Sequence, residues 1–384
     1  TLIHNAQITT IDSFCQYIIK NNFNFVGLDP SYNVGDEGEL KLLQEDVMKN
    51  MLEEEYVKAK EGSNEDFIYC MEYFGTGSSD KVVEEYIERL YRFSMSMPWP
   101  EVYIKERALD YDISDKNFDE LEWVKECVTS VKRILLEAKD KLSTAHELTL
   151  LPDGPYMYGE LLEKEAEMME RVAVFDSYDE LYDAVRGISF DRLPSKKDDS
   201  VSPDKKERAK ELRDSVKKDL KKVTENYLVL TSDMVAEQMK LCDRAVKELC
   251  RLTLRYIQLF DERKREERLI DFSDMEHLAL NILIDYEKGA PTQVALEYRE
   301  FFKEVLIDEY QDSNAVQELI LQAISGIKAG SSERFMVGDV KQSIYKFRLA
   351  RPEIFMKKLA TYSKDESASD RRIDLHRNFR SRAE

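Results

Sequence analysis

Hydrophobic and polar positions along the 384-residue chain fall into three textures. At the N-terminal end, A-Q-I-T-T-I (6–11) is β-prone. Asp12 and Ser13 then suit a helix N-cap ahead of F-C-Q-Y-I-I-K-N-N-F, whose apolar residues recur at helical spacing. After Gly27 to Pro30 long amphipathic helices take over, E-L-K-L-L-Q-E-D-V-M-K-N-M-L being typical. Breakers at 75–79, 97–100 and 151–155 separate the helical blocks. The stretch 194–206, P-S-K-K-D-D-S-V-S-P-D-K-K, reads as an exposed loop, and a strongly charged helical stretch follows from about Lys206 to Arg268. Around Leu269 the pattern changes again. L-I-D-F-S-D-M-E-H-L-A-L carries a Ser273-x-x-Glu276 capping box that predicts a helix start. Three β-prone runs come after it, at 304–309, 334–339 and 372–375, with helical patterns between the first two and between the last two.

Strands alternating with helices predict a parallel α/β sheet. No repeat of 20–50 residues and no sustained heptad array is visible. An α/β piece of under thirty residues and another of over a hundred thus flank a helical block of roughly 240. The economical architecture is one α/β domain interrupted by a large all-α insertion. Open α/β sheets gather ligands at the carboxyl ends of their strands, where Asp308–Glu309 and Gly338–Asp339 are expected.

Composition narrows the class. An apolar share of 42% and a charged share of 35% suit a helix-rich soluble protein, and no run approaches the roughly 20 apolar residues of a membrane span. The start, T-L-I-H-N-A-Q-I-T-T, has no initiating Met, basic n-region or signal-like apolar block. It reads as a cut through a folded unit, and the chain is expected to be a fragment. Five scattered cysteines without a C-x-x-C pair, and four histidines far apart, suit reduced thiols in the cytoplasm and no structural zinc. The net charge of −20 argues against a protein that coats nucleic acid. The charge is uneven, however. Residues 35–62 hold nine acidic against four basic side chains, whereas 333–384 hold thirteen basic against eight acidic, so the C-terminal end can meet a phosphate backbone.

Candidate chemistry concentrates in three motifs. V-L-I-D-E-Y-Q-D-S-N (Val305 to Asn314) runs an apolar strand into Asp308 and Glu309. Neighbouring carboxylates at a strand end diverge, so one can take a metal while the other orients and deprotonates an attacking water, as in a Walker B strand. The glycine-rich phosphate loop that usually accompanies such a strand has no counterpart in the sequence. V-G-D-V-K-Q-S-I-Y-K-F-R-L-A-R (Val337 to Arg351) ends a strand at Gly338–Asp339, places Gln342 within a turn, and then interleaves Tyr345 and Phe347 with Lys346 and Arg348. A glutamine there suits sensing a γ-phosphate or a water, and aromatics beside cations suit stacked bases and phosphates. Ordinary helix core is the competing reading of the aromatics. The third motif is Asn378-Phe-Arg380-Ser-Arg382, where arginine can grip a phosphate bidentately.

In order, D-E-Y-Q-D, G-D-x-x-Q-S-I-Y-x-F-R and N-F-R-S resemble motifs II, III and IV of superfamily 1A DNA helicases, the UvrD/Rep/RecB group. T-T-I-D-S-F-C resembles the motif this group carries shortly after its phosphate loop, and L-I-D-F-S-D-M its D-F-x-D-L element. G-D-V-K-Q-S-I-Y-K-F-R-L-A-R-P-E-I-F and L-x-x-N-F-R-S-R are most similar to the AddA family of helicase–nuclease subunits, and so are L-D-P-S-Y-N-V-G-D-E and F-D-R-L-P-S-K-K in the helical block.

The resemblance implies a RecA-like motor lobe, 1A, in two segments (1–28 and 266–375), with a helical 1B insertion at 29–265 and the start of lobe 2A at 376–384. It implies ATP and Mg²⁺ as cofactors, single-stranded and duplex DNA as partners, and an AddB-type partner subunit. Asp308 would hold Mg²⁺, Glu309 would be the catalytic base, and Gln342 and Arg380 would reach the γ-phosphate region. Tyr345, Phe347 and Arg348 would meet single-stranded DNA, with Thr10 and Ser13 near its backbone; Asp12 stands where the family often has His. For Asp271 and Asp274, helix-start capping and local packing is the preferred reading. The expected activity is ATP-dependent 3′→5′ translocation in double-strand-break processing, with the fragment itself inactive as an ATPase. A RecB- or UvrD/PcrA-like motor and a non-enzymatic binding module are the alternatives.

Overall fold

The computed structural model describes residues 6–75, 79–114, 116–196, 198–326, 333–344 and 349–375. It divides into two compact units, Thr1–Leu109 with Ala245–Glu384, and Asp110–Arg244.

The first unit begins with α1 (Ile11–Val26). Thr10 is its N-cap, accepting from the Ser13 amide at 3.3 Å. The expected strand at 6–11 and the expected Asp12/Ser13 cap are therefore both replaced. Helix capping captures Thr10, and Ile8 stands exposed without a strand partner among the described residues. Phe14, Cys15, Ile18 and Ile19 form one buried stripe on α1. Gly27, at φ 60°, ends the helix in the left-handed region that glycine tolerates.

After β1 (Asn33–Val34), the helices α2 (Glu37–Lys60), α3 (Glu65–Phe74), α4 (Lys81–Ser94) and α5 (Pro100–Ala108) follow. They share a core with the C-terminal part of a later helix, with Met51, Phe67, Ile87, Ile104, Tyr256 and Phe260 at its centre. Each such fully buried side chain contributes about 1.5–3 kcal/mol.

The second unit holds α6 (Glu122–Thr149), α7 (Gly159–Val172), α8 (Tyr178–Arg186) and α9 (Pro203–Asn226). The buried positions of α6 are Val124, Val128, Val131, Leu135, Ala138, Leu142, Ala145 and Thr149, an alternating four-three spacing. This is the heptad-like stripe that the sequence pattern did not reveal, because small and polar residues occupy three of its positions. It packs on α7 and α9. Inside, Arg213 of α9 donates bidentately to Glu165 of α7, Nε to Oε2 at 2.7 Å, and also to the Asp191 carbonyl. A buried pair needs such full satisfaction to offset its desolvation.

The 35-residue α10 (Ser232–Glu266) leads to β2 (Leu269–Ile270), which pairs in parallel with β1, Asn33 opposite Leu269. The chain that leaves the first unit's N-terminal segment near residue 33 thus rejoins it beside the same backbone. Next, α11 (Phe272–Leu283) packs on α1. Its capping box is Asp271/Asp274, not Ser273/Glu276: each aspartate accepts from the other's amide at 2.8 Å. The helix begins two residues earlier than the Ser273 signature implied, which leaves Glu276 facing inward. The preferred capping reading of Asp271 and Asp274 agrees with this geometry.

An antiparallel pair, β3 (Ile284–Asp285) with β4 (Ala290–Pro291), precedes α12 (Gln293–Phe301). Then β5 (Glu304–Ile307) crosses over through α13 (Ala315–Ile324) to β6 (Glu333–Met336). These two strands are parallel, with Leu306 opposite Phe335. The ladder extends through Val337 N–H donating to Ile307 and Tyr310 N–H to Val337. Both expected strands are present, and α14 (Pro352–Thr361) matches the expected second helix. The third run, 372–375, forms no strand: only an isolated bridge joins Ser363 and Arg371, and Leu375 is exposed. The fold is mostly helical α/β with small parallel sheets. The five cysteines are free, and no helix among the described residues is long and apolar enough to cross a membrane.

Candidate nucleotide site

The carboxyl ends of β5 and β6 lie side by side because the ladder pairs Ile307 with Met336. Asp308 follows β5 directly, and its carboxylate accepts from the Glu309 amide at 2.9 Å. Glu309 adopts a left-handed backbone, φ 48° and ψ 40°. That conformation is unfavourable for a residue with a Cβ, and it turns the chain into a 3₁₀ turn at Tyr310–Asp312. Both carboxylates are exposed, while Tyr310 and Gln311 behind them are buried.

Beneath the turn a buried network fixes the base of the site. Tyr310 Oη donates to Glu318 of α13, which also accepts from Lys358 of α14 at 2.8 Å and from Arg334 of β6 at 3.3 Å. Burial works to raise the Glu318 carboxyl, but these partners, Lys358 foremost, outweigh it and hold it below the usual range. On the other side, Asn314 and Gln317, the capping box of α13, donate to Glu276 of α11 at 2.9 and 2.6 Å. Burial dominates there, aided by the charge of Asp12, and Glu276 is raised. Motif II is thereby anchored to α11, and through it to α1.

From the turn a line of hydrogen bonds runs to the end of β6. Gln311 Nε2 donates to Glu309 at 2.6 Å, the Asp339 amide donates to Gln311 Oε1 at 3.0 Å, and Gln342 Nε2 donates to Asp339 at 3.1 Å. The bond from Gln342 and the Lys341 amide lower the Asp339 carboxyl. Gly338 is where the two motifs touch: a Cβ there would fall 2.5 Å from Gln311 Oε1 and 3.0 Å from Phe355.

The structure therefore brings Asp308, Glu309 and Gln342 together. Thr10 and Ser13 are exposed at the start of α1, their hydroxyls bonded to each other at 3.0 Å. Tyr345, Phe347, Arg348 and Arg380 lie outside the described residues. Sequence reasoning missed Gln311, Gly338 and Glu276. The Q in D-E-Y-Q-D was the available signal for Gln311, but its partner lies 28 residues away.

Exposed carboxylate oxygens are the donor type that Mg²⁺ takes, and Mg²⁺ is ordinarily held by one or two carboxylates with phosphates and water completing the shell. Asp308 and Glu309 fit that use. Among the described residues no group of three His, Cys, Asp or Glu forms a protein-only cage.

A paired-strand site with acids after one strand and a Gly-Asp-x-x-Gln turn after the other is the nucleotide end of a helicase-type α/β lobe. Residues 1–363 match the family described as UvrD/REP helicase N-terminal domain, and the chain belongs to that family. It is 44% identical to AddA, an ATP-dependent helicase/nuclease protein, of Lachnoclostridium phytofermentans, which it matches over its full length and 28% of the relative's. The proteins of the same name from Clostridium kluyveri and Clostridium perfringens are 37% and 38% identical, again over the whole chain and 31% and 30% of theirs. The chain thus spans under a third of the length of these relatives.

Proposed function

We propose that the chain is the first-lobe region of an AddA-type, ATP-dependent 3′→5′ DNA translocase that works with an AddB-type partner in double-strand-break processing in the cytoplasm. In this reading the segments 1–28 and 266–375 form lobe 1A, 29–265 is the 1B insertion, and 376–384 opens lobe 2A. The parallel pairing of residue 33 with residue 269 supports an insertion between two segments of one lobe. The hydrogen-bond line from Glu309 through Gln311 and Asp339 to Gln342 is the observation that carries the proposal.

Asp308 would hold Mg²⁺, which when bound with ATP neutralises the charge developing on the phosphates. Glu309 orients the attacking water and accepts its proton, held in place by the Gln311 amide. Gln342 reads the γ-phosphate region from the neighbouring strand end, and Arg380 adds positive charge there. Tyr345, Phe347 and Arg348 continue from Gln342 toward the bases of single-stranded DNA, so a change at the nucleotide is passed along one short segment. Thr10 and Ser13 approach the DNA backbone. Duplex DNA enters ahead of the single strand.

The test is single-stranded-DNA-stimulated ATP hydrolysis by the full-length polypeptide, with Glu309→Gln and the present chain alongside. Strong turnover in the parent and loss of at least about 10²-fold in both others is expected, the scale of general base catalysis. Unstimulated or absent turnover in the parent would replace the motor by a binding module, and normal turnover in Glu309→Gln would remove Glu309 as the base.

A further inference from the structure

We propose that Gln311 is a positioning residue that aims the Glu309 carboxylate and locks its aim to the strand end carrying Gly338 and Asp339. The inference rests on the reading of Glu309 as the general base. Three observations support it. Gln311 is only 1% exposed, so its amide is fixed by protein rather than solvent. That amide is used at both ends, Nε2 donating to Glu309 and Oε1 accepting from the Asp339 amide. The opposing backbone has no room to spare, since any Cβ at position 338 would collide with Gln311 Oε1.

The chemistry of the side chain explains why glutamine suits the place. A glutamate could still accept from Asp339, but it would set a second carboxylate against Glu309. A methionine matches the length and offers neither bond. An asparagine is one methylene short of spanning the gap. Glu309 itself has no other side-chain donor among the described hydrogen bonds, and its left-handed backbone leaves the carboxylate dependent on Gln311 for orientation. A small misplacement of a catalytic group can cost about 10²-fold in rate. Because the same amide grips the Asp339 backbone, a shift of the Gly338–Gln342 segment on binding DNA would reorient Glu309 directly.

The experiment uses the full-length polypeptide together with its partner protein. ATP hydrolysis with and without single-stranded DNA is measured for the parent, Glu309→Gln, Gln311→Met, Gln311→Glu and the double variant Glu309→Gln/Gln311→Met. Gln311→Met is expected to lower the DNA-stimulated kcat by about 10–100-fold while the KM for ATP stays within about threefold, the split that an outer-shell positioning group produces. In the Glu309→Gln background the same change should cost less than about twofold, since the group it aims is gone. Gln311→Glu should lose kcat as well while keeping the Asp339 bond, and it is the variant to read if Gln311→Met shows no cooperative thermal transition.

A kcat within twofold of the parent in the Gln311 variants overturns the inference. So does a loss that multiplies fully with that of Glu309→Gln, or a rise in KM without a fall in kcat. Such results, in a parent that Glu309→Gln silences, leave the motor reading intact. A parent without DNA-stimulated turnover, or an active Glu309→Gln, overturns both.

Discussion

Leu269-Ile270-Asp271 and Leu306-Ile307-Asp308 are the same tripeptide, and each ends a short parallel strand, yet the two aspartates meet opposite surroundings. At the first, Leu269 and Ile270 are buried. Asp271 caps α11 and, with Asp274 and Asp261, surrounds Lys264, whose ammonium is 2.6 Å from Asp274. Burial works against that ammonium, but Asp274, Asp271 and Asp261 outweigh it and hold it charged above the usual lysine range. At the second, Leu306 is 69% exposed, and Asp308 is engaged only by the amide of the next residue among the described hydrogen bonds. Carboxylates that hold the fold have their oxygens filled by protein. Those suited to chemistry keep oxygens open toward solvent.

The contrast can be broken most strongly at its structural end. Lys264→Met leaves buried aspartates unpaired and is expected to destabilise the first unit by about 3–5 kcal/mol, read as a lower midpoint in urea; an unchanged midpoint would deny the cluster its role. Asp308→Asn should do the reverse. In the full-length polypeptide it is expected to lower DNA-stimulated ATP turnover by about 10²-fold, equivalent to about 2.7 kcal/mol, with a melting temperature close to the parent's. Asp271→Ala should cost about 0.5–2 kcal/mol for its cap and leave the KM for ATP alone.

The smallest effects concern pH. Glu318 is held below the range of an unfolded glutamate, about 4.3, so its contribution is complete above that pH and lost as pH falls through its folded value. Glu276 is raised, so its contribution is complete below about 4.3 and declines as pH rises through its folded value. Melting temperatures across pH 3–7 should therefore show Glu318→Gln flattening the acid limb and Glu276→Gln removing a loss on its neutral side. Parallel curves for both variants would contradict the opposite signs.

How much was legible follows from how local each signal is. Helices such as α2, α11 and α13 announce themselves through apolar spacing and caps within one turn, and they appear where the pattern put them, to within a few residues. The strands at 304–309 and 334–339 were legible because two apolar runs with a helix between them supply each other's partner. Residues 6–11 and 372–375 have equal β propensity but no neighbouring strand among the described residues, and propensity without a partner does not make a sheet. Within the site, Asp308, Glu309 and Gln342 were readable as motif letters. The roles of Gln311 and Glu276 were not, because each is defined by groups from 28 to 41 residues away that only the fold brings near.

The left-handed backbone at Glu309 carries a practical consequence for engineering. Position 309 sits at φ 48°, where a residue with a side chain costs about 1–2 kcal/mol and a glycine would rest without strain. A selection for thermal tolerance alone would thus favour discarding the side chain assigned the proton transfer. Melting temperature and turnover should diverge at this residue, and libraries scored on heat resistance will drift toward silent motors unless the position is held fixed.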